Sequence, residues 1–256
     1  MMMHPIVILA RYTWIQAWRS RWPLLALATV VVALVCGVFF ASLAITESTA
    51  TFVAITAAAA RIIGVCALSF FVIALVMRDR QERALESLLA LPVSRGHYYL
   101  GRWLGMVSLA ASQVLLLAPL IWSTTPAVAG NAWLVAYGCE LIIVGSFSLL
   151  CAITLRQLPL ALFATLGFYA LARSVAALVA MASHPVLPDQ GVASAAVLWL
   201  AQSIAAVLPD LSYAASASLV YDAEGYGVSA MLMQTLIYTA MLVGAGLVDM
   251  YRREIT

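Results

Sequence analysis

Lysine is missing from the sequence altogether, and charged residues of any kind fill only 9% of its 256 positions. The first absence removes the lysine that grips nucleotide phosphates in a P-loop and the lysine of Schiff-base catalysis, so the chain is not expected to hydrolyse ATP itself, and the lack of a nucleophile-base or metal constellation makes an enzyme unexpected as well. Histidine occurs three times, at His4, His97 and His184, too far apart for a helical metal motif, and neither HExxH nor GxSxG is present. No metal or cofactor is therefore expected on this chain. The four cysteines, Cys36, Cys66, Cys139 and Cys151, lack CxxC spacing and fall inside apolar runs, where a thiol packs as a small residue. A secretory leader is not legible either. The apolar stretch 6–10 is too short for a signal-peptide core, and Arg11, Arg19 and Arg21 follow it where small residues would mark a cleavage site.

What the sequence has in quantity is apolar surface: 65% of its residues are hydrophobic, more than a water-soluble domain can hide. A helical crossing of a bilayer takes about 20 apolar residues. Runs long enough for this occupy 22–45, 52–77, 99–122, 132–155, 158–182 and 228–248, which predicts an all-α polytopic membrane protein of six spans in one transmembrane domain, 1–256. Residues 5–21 interleave Ile6, Val7, Ile8, Trp14 and Trp18 with Arg11, Arg19 and Arg21, the pattern of an amphipathic elbow helix in the headgroup zone.

The uneven placement of arginine orients the chain. Arg78, Arg80, Arg83, Arg95 and Arg102 crowd the connection between spans two and three, Arg156 marks the next and Arg252 and Arg253 follow the last span, whereas the intervening loops carry none. The positive-inside rule then places both ends in the cytoplasm. The 17 uncharged residues 192–208 could be another crossing, but that would put Asp210, Asp222 and Glu224 inside and Arg252 outside. They are read as a re-entrant or surface helix on the outer side, bracketed by Pro185, Pro188 and Pro209.

Two groups of residues stand out chemically. In the connection after span two, residues 80–91 have helical spacing, with Ala84, Leu85, Leu88, Leu89 and Leu91 on one face and Asp79, Glu82 and Glu86 as an acidic ridge beside it; Pro92 ends the helix. Such a surface fits either docking of a cytoplasmic partner or a helix resting on the bilayer. The second group is intramembrane. Arg61 lies 17 residues before Arg78, Glu140 16 before Arg156 and Arg173 17 after it, so all three are expected at one level, about 24–26 Å above the inner boundary at 1.5 Å per residue. Burial of such groups is costly, and the expectation is that Glu140 pairs with Arg61 or Arg173, as a static tie between spans or as part of a gate or substrate contact.

The stretch ERALESLLALPVSRGHYYLGRWLG resembles the signature of ABC-2 permeases, the membrane subunits of ABC exporters: acidic residue, Leu-Leu pair, Pro-Val, Ser-Arg, then a glycine-rich start of the next span. Glu82, Glu86, Leu88, Leu89, Pro92, Val93, Ser94, Arg95, Gly101 and Gly105 stand at those places. The chain departs from the signature in having Ala84 and Leu85 where glycine is frequent, and no basic–acidic pair at 11–14. The layout is similar to that of NosY-type permeases. The resemblance implies a bacterial inner-membrane subunit, a homodimer with two copies of a separate ATPase that bind ATP and Mg. The coupling helix, 80–91 with Ser94 and Arg95 beyond it, would sit in a cleft of that ATPase, with Arg80, Glu82, Arg83, Glu86, Leu88, Leu89 and Pro92 as docking residues. It further implies export or extraction of a hydrophobic or amphipathic molecule. The alternative is a mechanotransmitter driving a periplasmic or membrane partner without transport. Nothing in the sequence points to nucleic acid.

Overall fold

The structure, a computed structural model, describes residues 5–44, 47–81, 95–155, 157–183, 199–200, 202–205, 208–211 and 228–252. These residues are almost entirely helical, with no strand among them: α1 Pro5–Arg19, α2 Trp22–Leu43, α3 Ser48–Gln81, α4 Arg95–Thr124, α5 Ala127–Thr154, α6 Leu158–Ser183 and α7 Val228–Arg252. Six of the seven, α2 to α7, are long and apolar enough to cross a membrane, as a multi-pass membrane protein requires.

Helices α3 and α5 form the centre. Helix α3 packs against α2, α4, α5 and α6, and α5 against α3, α4, α6 and α7. Leu68 and Ile73 of α3, Leu109 of α4 and Tyr137, Leu141 and Ile143 of α5 are fully enclosed. Helix α2 is apolar on every side, so composition does not choose its inner face; size does. Ala26, Thr29, Ala33 and Gly37 are buried, whereas Leu24, Val31, Val35 and Phe39 face outward. Without a hydrophobic drive inside lipid, helices associate where small side chains let backbones approach, and this small-residue stripe meets α3.

Helix α1 lies along α4, and the two run in the same direction, with Leu9 beside Gly101 and Thr13 beside Gly105. A Cβ at either glycine would collide with α1, so the Gly101-x-x-x-Gly105 groove is what admits it. A two-residue turn then leads into α2, with Arg21 in the left-handed region at φ 69 and Pro23 in the first turn of the next helix. A helix thus occupies Pro5–Arg19 of the expected 5–21, but its face with Leu9, Thr13 and Gln16 is spent on α4, and Val7, Ile8, Tyr12, Ile15 and Trp18 point outward.

Boundaries move outward from the apolar runs. Helix α3 begins at Ser48 and continues unbroken to Gln81, and α4 starts at Arg95, four residues ahead of the expected 99. The reason is that backbone hydrogen bonding ignores hydropathy, so the helix propagates through Arg78 and Arg80. Residues 82–94, which include Glu82, Arg83, Glu86, Leu88, Leu89, Pro92 and Ser94, lie outside the described residues, as does most of the expected outer helix 192–208. Of the latter, Trp199 and Leu200 are helical and exposed, while Leu208 and Leu211 pack on the core.

Candidate functional site

Two polar clusters interrupt the apolar bundle. The first joins the Arg-rich ends of the helices. Asp79, in the last turn of α3, is 2% exposed and forms a salt bridge with Arg102 of α4. The Tyr98 hydroxyl donates to its Oδ2 at 2.9 Å and the Gln16 amide to its Oδ1 at 3.3 Å. Arg102 also donates to Thr13 Oγ1 and Gln16 Oε1, both at 3.0 Å, and so ties α1 into the same network. Asp79 therefore does not belong to a solvent-facing acidic ridge with Glu82 and Glu86. Helix continuity turns it inward, on the face that carries Leu75, Val76 and Val72. Its neighbour Arg80 donates to the carbonyl of Ile153, one of the four orphan carbonyls at the end of α5. Thr154 in turn donates to Asp249 of α7 at 3.0 Å. Of the expected docking residues inside the described part, Arg80 is thus engaged within the bundle and Arg95 opens α4.

The second cluster lies in the middle of the helices. Arg61 Nη1 of α3 and Arg173 Nη1 of α6 each approach Glu140 of α5, at 3.4 Å to Oε2 and 3.4 Å to Oε1 respectively. The sequence left open which arginine the carboxylate would meet; in the structure it meets both, one with each oxygen. Arg61 is 1% exposed and Glu140 is fully buried, whereas Arg173 is 26% exposed. Tyr169, one turn before Arg173, accepts its Nη1 at 2.9 Å. The Arg61 guanidinium stands 4.7 Å over the Trp133 ring, which stacks on Tyr137 at 5.3 Å. All three charges fall near mid-helix and at one level, as their mutual contacts require.

One turn along α3 from Arg61, Gly64 leaves room for two further polar groups. A Cβ there would strike the Tyr137 hydroxyl and the Gln113 amide of α4. Both side chains are fully buried, and neither Tyr137 Oη nor either amide atom of Gln113 has a hydrogen-bond partner. In a low-dielectric interior such groups are retained at a cost of about 1–3 kcal/mol each.

No family model matches the chain, and no curated protein matches it.

Sequence reasoning missed several of these residues. Tyr137 and Trp133 sit three and seven residues before Glu140, and Tyr169 four before Arg173, so helical spacing places them on the charged faces. Gln113 is an amide inside an otherwise apolar run, a signal of the same kind. The Asp79–Arg102 pair carries no such mark, since nothing in the sequence says that the ends of α3 and α4 meet. Among the described residues no group of three or more His, Cys, Asp or Glu could hold a metal, and all four cysteines are free thiols.

Proposed function

We propose that the chain is the membrane-spanning subunit of an ATP-driven ABC transporter of the ABC-2 type, working as a pair of copies docked on two copies of a separate ATPase. The observation that carries this reading is the segment from Glu82 to Gly105, whose acidic, Leu-Leu, Pro-Val and Ser-Arg positions match the coupling segment of that class and which joins two long apolar helices at the Arg-rich end. By the positive-inside rule this end is cytoplasmic, where a nucleotide-binding partner would be.

The geometry around the segment supports the reading mechanically. Both of its attachment points are tied into the bundle: Asp79 to Arg102, Tyr98 and Gln16, and Arg80 to the end of α5, whose Thr154 reaches α7. A displacement imposed on residues 82–94 would therefore reach five helices, α1, α3, α4, α5 and α7, instead of one loop. Closure of the ATPase pair on ATP would push these ends together, and hydrolysis would release them.

The test is affinity purification of the tagged chain from native membranes in mild detergent, beside a Glu82→Arg, Glu86→Arg variant. A nucleotide-binding subunit that co-purifies with the wild type and is lost from the variant is the expected result. A chain that is intact and solitary in both samples would remove the ABC assignment.

A further inference from the structure

The mid-bundle cluster is rich in donors and poor in acceptors. Arg61, Arg173, Tyr137, Tyr169 and the Gln113 amide all present N–H or O–H groups, and the one carboxylate among them, Glu140, is shared between two guanidiniums. Both of its ion-pair contacts are 3.4 Å, longer than the roughly 2.7–2.9 Å of a tight charge-assisted bond. Among the described residues two guanidiniums meet one carboxylate here, in surroundings where charge is expensive. Planar guanidiniums with hydroxyl and amide donors nearby are the chemistry that recognises carboxylate or phosphate.

Access is on one side. Arg61, Glu140, Tyr137 and Gln113 are closed off, but Arg173 is partly exposed on α6, whose Phe163, Leu171, Leu178 and Met181 face outward. Arg173 also keeps Tyr169 on its own helix as a partner, so it can leave Glu140 without losing every hydrogen bond. Glu140 links Arg173 of α6 to Arg61 of α3, and Tyr137 lies one turn before it on α5, with its hydroxyl beside Gly64 and the Gln113 amide. We infer that this cluster is a binding site for the anionic group, carboxylate or phosphate, of an amphipathic molecule. The molecule enters laterally at Arg173, and its oxygens take up the unpartnered Tyr137 hydroxyl and Gln113 amide. This deepens the transporter reading by giving its substrate a charge, and it rests on that reading only for the direction of movement; binding itself requires no ATPase.

The experiment is native mass spectrometry of the purified full chain, titrated separately with dioleoylphosphatidic acid, oleate, dioleoylphosphatidylcholine and inorganic phosphate. The wild type should hold one phosphatidic acid or oleate at least roughly tenfold more tightly than phosphatidylcholine. Arg173→Gln should abolish that preference and Arg173→Lys keep part of it, since lysine preserves charge without the planar fork. A Tyr137→Phe, Gln113→Leu variant should also weaken it, although neither residue can be touched by a lipid that merely surrounds the bundle. It also serves as the test if Arg173→Gln fails to fold. Competition by inorganic phosphate would show that the site reads the anionic group alone, and phosphatidic acid binding without such competition that it reads the group together with its chains; both outcomes support an anion site open to an amphipathic molecule. Equal binding of anionic and zwitterionic lipids by the wild type, or an unchanged preference in the Tyr137→Phe, Gln113→Leu variant, would overturn the proposal whether or not an ATPase co-purifies.

Discussion

Glu140 and Asp79 occupy similar positions in different circumstances. Each is a buried carboxylate facing arginine, but Asp79 is held by a salt bridge with Arg102 and two neutral donors, while Glu140 is stretched between two guanidiniums. Removing one partner of a buried pair leaves a charge without compensation, at about 3–5 kcal/mol, so Arg102→Leu should sharply lower the thermal stability and yield of detergent-purified protein. Adding Asp79→Asn to Arg102→Leu should recover much of that loss. Glu140→Gln, by contrast, leaves Arg61 and Arg173 facing one another across a neutral amide. Arg173→Gln in the same chain should restore part of the stability, giving a coupling energy of about 0.5–3 kcal/mol in a double-mutant cycle followed by thermal unfolding. Additive losses would show that the two residues do not interact. That Arg61, Glu140 and Arg173 are ionisable residues within long apolar helices was legible in the sequence, because such residues stand out in apolar runs. Their joint meeting was not, since one carboxylate can satisfy either arginine until the helices are placed.

At the scale of elements, helix identity follows from apolar length, and helix contact follows from small residues. The Gly101 and Gly105 groove decides where α1 sits. Gly105→Leu should force Thr13 and its helix away from α4, lowering stability by about 1–3 kcal/mol through overpacking. Hydrogen exchange would show it as selective deprotection of amides 9–19 with α5 little changed. A change confined to α4 would mean that α1 holds to the bundle by other means. The same displacement pulls Gln16 and Thr13 from Arg102, so the element and the cluster at the Arg-rich end are linked. Amphipathic patterning in residues 5–21 predicted a helix, yet it gave no hint that the face with glycine-sized partners would be the buried one.

For the whole molecule, the alternation of α2 to α7 brings the ends of α3, α5 and α7 and the start of α4 together, as the Arg80–Ile153, Asp79–Arg102 and Thr154–Asp249 contacts require. Topology in the cell is the matching prediction. In a variant whose four cysteines are alanine, a single cysteine at Glu47 should react with a membrane-impermeant maleimide in intact cells, and one at Arg252 only after permeabilisation. The reverse pattern would invert the orientation and remove the basis for a cytoplasmic ATPase. Among the described residues, the presence of six long apolar helices and their approximate places were determined by the sequence by itself, because a span needs only an apolar run of sufficient length and that property is local; their ends were not, since α3 runs over Ser48–Gln81 and α4 starts at Arg95. Which residues form the polar clusters was decided by the tertiary structure. Arg61 with Glu140, Asp79 with Arg102 and Gly64 with Gln113 are separated by 79, 23 and 49 positions, and only the packing of small-residue faces brings such distant groups to one point.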